Sequence, residues 1–290
     1  MTADPHPSRL VPALLLAVAL ALVAGCSQVG FLYAQLDWLL LRWVEDYVAL
    51  GDQQRERLKG EIAALHTWHC GAHLPQIGTL VGELEADVGQ GRLTPARVDT
   101  HAVRVEALWR GMLERATPAT ARLLADLTQG QLDDLYRALE KGNAAAQRKL
   151  RKGSPSAVAA DYADGARDEF ERWLGHLNRE QLGLITQWSH AVRPLGLTGL
   201  DYRRAWQDRL RPSIAGNRGD PGRLEAVLRD AFARMAQEQP PAYRETLSAN
   251  RAVTYAMVAA VIARADETQR AHLHRFASKL RTDLAAIRCD

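Results

Sequence analysis

From residue 31 onward, almost every stretch between prolines and glycines carries its apolar side chains at a helical period. Leu36, Leu39, Leu40, Trp43, Val44 and Tyr47 fall at i, i+3, i+4 and i+7 of one another, the stripe of an amphipathic helix. No run of alternating Val, Ile and Thr reads as a strand. Ala, Leu, Arg, Glu and Gln, good helix formers, dominate instead. With no sheet to cover them, the apolar stripes must cover one another. The chain therefore predicts an all-α fold, an irregular multi-helix bundle of about ten helices in a single body, most packed antiparallel. Helices are expected at 31–49, 52–88, 95–116, 119–127, 129–151, 155–176, 179–192, 199–211, 221–237, 241–264 and 267–287. Pro75 should kink or break the second. Residues 152–155 and 216–222 read as loops.

Four helix starts share a local frame. Leu50 to Gln54, Leu127 to Gln131 and Leu177 to Gln181 each place leucine four residues before glutamine, and Asp266 to Gln269 is a copy lacking the leucine. Thr128 or Asn178 can accept a bond from the first turn, while the glutamine reaches back to the cap's own N–H. Leu127 with Leu132, and Leu177 with Leu182, have the spacing of a hydrophobic staple. A repeated way of starting helices explains the pattern. The same residues also resemble the Leu-Thr-x-x-Gln motif of small helical periplasmic chaperones. The unequal intervals argue against a regular solenoid.

The N-terminus carries an address. Val11 to Ala24 is free of charge and ends in Val23-Ala24-Gly25-Cys26, too short for a spanning helix of about 20 apolar residues and laid out as a cleavable signal segment. The ending resembles the lipobox of bacterial lipoproteins, which implies cleavage before Cys26 and acylation of that cysteine; an uncleaved anchor helix is the other reading. Ser27 in place of Asp implies sorting to the outer membrane, with the body facing the periplasm. The expected organisation is a signal peptide over 1–25, a lipidated cysteine and short tether over 26–30, and an all-helical periplasmic domain over 31–290. No later stretch reads as long and apolar enough to span a bilayer. The 31–49 helix starts close to the anchor, yet it carries Asp37, Glu45 and Asp46, so it is expected to be buried in the bundle and not laid on lipid.

A formal net charge of +3 without a basic block gives no footprint for nucleic acid. Cys70 and Cys289 remain once Cys26 is assigned to lipid. In an oxidising compartment they could form one disulfide or stay as two thiols. The sharpest candidate for chemistry is His66, His69, Cys70 and His73. At i, i+3, i+4 and i+7 these four could converge on one helix face, and imidazole with thiolate suits zinc or copper. A packed helix face is the alternative. No serine has a nucleophile-elbow context and no phosphate loop exists, so no catalytic residue is assigned and no enzyme is expected. The expectation is a non-enzymatic binding, scaffold or chaperone-like protein, held to the membrane by lipid and meeting other envelope proteins. A metal-binding protein built on the histidine face is the alternative.

Several stretches together are similar to one family. They are Leu36-Asp37-Trp38-Leu39 with Arg42-Trp43-Val44, then Trp68-His69, Leu74-Pro75, Leu127 to Gln131, Glu171-Arg172-Trp173-Leu174-Gly175 running into Leu177 to Gln181, and Gln269-Arg270 with Leu273. The set resembles the proteobacterial lipoprotein family known as domain of unknown function 6279. The resemblance implies an all-helical, lipid-anchored periplasmic protein of unassigned role and carries no functional residue with it. Cys70 beside His69 departs from the charged or polar residue the pattern leads one to expect.

Overall fold

The computed structural model describes Gly30 and residues 33–289. The signal segment, Cys26 and Ser27 lie outside the described residues. Among those described there are eleven α-helices, one π-helical turn and no strand. In chain order the helices are α1 (Leu36–Glu45), α2 (Asp52–Trp68), α3 (Leu74–Gly89), α4 (Pro95–Asp126), α5 (Gln129–Lys152), α6 (Pro155–Leu174), α7 (Arg179–Ala191), α8 (Gly196–Gly216), α9 (Pro221–Arg234), α10 (Pro241–Ala263) and α11 (Glu267–Ala286). The π turn, His69–His73, joins α2 to α3.

Two apolar clusters organise the chain. The first gathers Leu58 and Ile62 of α2, Ala121 and Leu124 of α4, Leu132 of α5, Ile214 of α8, and Leu224 and Leu228 of α9. The second gathers Val88 of α3, Leu174 of α6, Ile185 of α7, Met257 and Val261 of α10, and Leu273 of α11. Two long elements run from one cluster to the other. Helix α4 has 32 residues, about 48 Å at 1.5 Å per residue. The α2–π–α3 rod lies antiparallel to it: Glu61 meets Arg122, Glu83 meets Arg104 and Asp87 meets His101. The rod turns into α4 at Gly91, whose φ of 66° suits a residue without a Cβ. Thr94 then caps α4 by accepting from the Arg97 N–H at 3.3 Å.

The four glutamine frames do more than start helices. They pair two by two, one pair beside each cluster. Gln54 and Gln131 set their carboxamides face to face, each Nε2 donating to the other's Oε1 at 3.1 and 2.7 Å. Gln54 also donates to the Asp126 carbonyl and Gln131 to that of Ala49. Gln181 and Gln269 repeat the arrangement at 3.0 and 2.8 Å, donating also to the carbonyls of Val261 and His176. In all four copies Oε1 accepts the backbone N–H three residues earlier. Each glutamine thus caps its own helix and locks another helix's approach. Leu50, Leu127 and Leu177 are buried, as is Ala265 in the copy without leucine. Of the staple partners Leu132 is buried, whereas Leu182 stands exposed.

Three expectations about helix boundaries change. The sequence predicts a break near 116–119, but α4 runs through Pro118 unbroken. On either side of it, the Thr117 hydroxyl donates to the Leu113 carbonyl and that of Thr120 to Ala116, tying the turns around the proline together. Helix α8 likewise contains Pro212. At Pro75 the rod neither stops nor merely kinks. The π turn ends just ahead of it, with the Leu74 N–H bonding the His69 carbonyl five residues back, and Pro75 then falls in the first turn of α3, where its missing N–H costs nothing.

Two statements about apolar segments also need correction. Helix α1 is only half covered: none of its residues is fully buried, Leu40, Leu41 and Val44 pack against the first cluster while Asp37 and Glu45 pair with α2, and its tryptophans face outward. Helix α10 does have the length and composition of a membrane span. In this fold it packs beside α7, with the Trp188 indole donating to Thr254 and the Arg193 N–H to the Asn250 side chain.

Candidate functional site: the histidine turn

The π turn places His69, Cys70 and His73 where α2 becomes α3, with His66 and Trp68 one turn before. A π turn steps each side chain back relative to an α-helix, so the even face predicted for the four ligands is not kept. His66 points to α1, where its Nδ1 lies 2.5 Å from Asp37 Oδ1. His69 Nδ1 lies 2.9 Å from the Tyr33 hydroxyl. The Tyr33 ring meets the edge of His66 at 4.4 Å and stacks on His69 at 5.8 Å between centroids. His73 is buried against Trp68 at 4.4 Å and faces α4, where a Cβ on Gly111 would come within 3.3 Å of its Nε2. Cys70 turns away from all three and is bonded to Cys289, with 5.5 Å between the Cα atoms.

These partners decide what the cluster can do. The disulfide takes the sulfur out of the set expected for zinc or copper; His66 turns to Asp37 and His69 to Tyr33, while the His69 and His73 rings stay in edge contact at 5.3 Å between centroids. Among the described residues no group of three His, Cys, Asp or Glu is arranged to hold a metal ion. Burial lowers the pKa of His69, helped by His73 and His66 nearby, and burial lowers that of His73. The Tyr33 phenol is pushed up to about 12 by burial and by the Asp37 carboxylate. The turn is therefore an aromatic joint, holding α1 by Asp37–His66, the segment just ahead of α1 by Tyr33–His69, and the C-terminus by the disulfide. Tyr33 and Asp37 have no local signal in the sequence, since they reach histidines 36 and 29 residues away.

A second titratable cluster closes the C-terminal end of the rod. The Asp87 side chain is 1% exposed and accepts from Arg97 Nε at 2.6 Å and Arg92 at 3.3 Å, with His101 Nε2 at 2.8 Å. The Arg97 hydrogen bond, opposed by burial and reinforced by His101 and Arg92, brings its carboxyl down to about 2. This cluster pins the α3–α4 turn, which the Arg92 N–H also closes onto the Asp87 carbonyl at 2.8 Å.

Several large apolar side chains stay open to solvent. Trp38 and Trp43 of α1 are 62% and 58% exposed, and Trp109 of α4 is 65% exposed, with Val103 and Val105 beside it in sequence. No curated protein and no solved structure matches the chain. The family of unknown function DUF6279 matches residues 46–244, which run from the end of α1 into α10 and include the histidine turn, the Asp87 cluster and three of the four glutamine frames. Over that span the chain belongs to the DUF6279 family.

Proposed function

We propose that this chain is a non-enzymatic protein of the bacterial envelope, anchored by lipid on Cys26 to the periplasmic face of the outer membrane, that works by binding other envelope proteins. The observation that carries the binding role is the open apolar surface of α4. Val105 and Trp109 lie four residues apart on one side of a helix fixed at both ends, and large exposed apolar side chains grouped on a rigid element mark interaction surfaces. The resemblance of the glutamine frames to the periplasmic chaperone motif supports the same reading, and the lipobox-like ending supports the address.

A photo-reactive residue in place of Trp109 tests the role in intact cells. Adducts to envelope proteins are expected, weakened by Val105→Ser. A residue at 109 that cross-links to no protein, while the chain is present at wild-type level, would overturn the binding role. For the anchor, wild type should incorporate labelled fatty acid and fractionate with the outer membrane, and Cys26→Ala should lose both.

A further inference from the structure

We propose that the outer face of α1 seats in the headgroup layer of the membrane that holds the chain, so that the tether ends in a docked helix and not in a loose swivel. The inference rests on the reading of Cys26 as the lipid attachment site. Helix α1 is two-sided. Asp37 faces inward onto His66, and Glu45 is paired with Arg55 of α2 at 2.6 Å. These are two of the three carboxylates that argue from sequence against a membrane-facing helix, and both are turned to the bundle. The third, Asp46, sits at the C-terminal cap. Outward stand Trp38, Leu39, Arg42 and Trp43. Trp38 with Arg42, and Leu39 with Trp43, are i, i+4 pairs, so they share one exposed side of the helix.

That composition fits a phospholipid surface better than a protein groove. Indole rings with an apolar body and a polar N–H concentrate at the headgroup level of bilayers, and a guanidinium between them matches lipid phosphate. Proximity limits the choice further. Trp38 is twelve positions on from Cys26, a reach of at most about 43 Å even fully extended. Among the described residues, the exposed aromatic side chains nearest in sequence to the anchor are those of α1.

The test uses the full acylated chain in vesicles of phosphatidylethanolamine and phosphatidylglycerol whose acyl chains are brominated near the headgroup. Bromine should quench part of the tryptophan emission of wild type, and Trp38→Phe/Trp43→Phe should remove that part while leaving circular dichroism unchanged. In cells, a photo-reactive residue in place of Leu39 should yield lipid adducts. Quenching that is equal in wild type and the double variant, or a protein adduct from position 39, overturns the docked helix. Mass spectrometry of the N-terminal peptide separates the two failures. An acylated Cys26 without quenching sinks docking alone, and an unacylated Cys26 sinks the anchor and the docking together.

Discussion

Gln181 shows how much one side chain can hold. It is fully buried, caps α7 through Oε1, and shares a reciprocal amide pair with Gln269. Replacing it with leucine keeps the bulk but takes the reciprocal partner from the Gln269 carboxamide, a donor from the Val261 carbonyl and the acceptor from the Asn178 N–H. A buried unsatisfied polar group costs about 1–3 kcal/mol, so Gln181→Leu should lower unfolding stability by at least that, as read in urea melts. A double-mutant cycle with Gln269→Leu should show coupling of about 1 kcal/mol or more, the size expected for groups in one network. Independent losses would contradict the pairing. The histidine turn makes a prediction of opposite chemical kind. Burial holds the imidazoles of His69 and His73 below the ordinary 6.5. The unfolded chain therefore takes up protons first, and the stability these rings lend is complete above pH 6.5 and shrinks as pH falls below it. Ring-proton titrations by NMR should place both midpoints under 6.5; a midpoint at or above that value would mean that the rings are solvated.

At the scale of elements, the Asp87 cluster decides how α3 turns into α4. Its carboxyl lies at about 2 against an ordinary 3.8, so its contribution is present above about pH 4 and is lost as pH falls through 2. Asp87→Asn should flatten the acid limb of the stability profile in that window. Asp87→Ala leaves His101 buried without its acceptor while the half-exposed Arg92 and Arg97 return to water, and should cost about 1–3 kcal/mol. An unaltered acid limb in the Asn variant would remove the carboxylate from this role. Helix existence was legible in the sequence because period, caps and glycines agree locally, as at Thr94-Pro95, Thr128 to Gln131 and Asn178 to Gln181. Pro118 and the π turn were not legible. Whether a proline ends a helix depends on neighbours that satisfy the freed carbonyls and on packing along the whole rod, and neither is written in a short window. The sidedness of α1 is hidden from the sequence for a related reason: its stripe is visible, but Asp37 and Glu45 turn inward only because His66 and Arg55 wait on α2.

For the whole molecule the decisive link is the one between Cys70 and Cys289. Helix α11 packs along α3, with Arg281 and His274 of α11 both reaching Glu85. This brings the end of the chain back to the turn at the middle of the rod. The disulfide then closes a loop of 219 residues that contains α3 to α11 and both glutamine clasps, except for Gln54. Sequence alone left the two sulfurs open between a bond and two thiols, because spacing along the chain says nothing of approach in space until α11 is docked. A loop this long removes much entropy from the unfolded chain, up to about 5 kcal/mol in the chain-entropy model. The cross-link should therefore matter most for the unfolded state and little for the native helices. Cys289→Ser should keep the helical circular dichroism of wild type at room temperature yet unfold at markedly lower urea concentration. Adding reductant should bring wild type down to the level of the variant and leave the variant where it is. Equal midpoints for oxidised wild type and Cys289→Ser would show that the C-terminus is held by α11 packing alone.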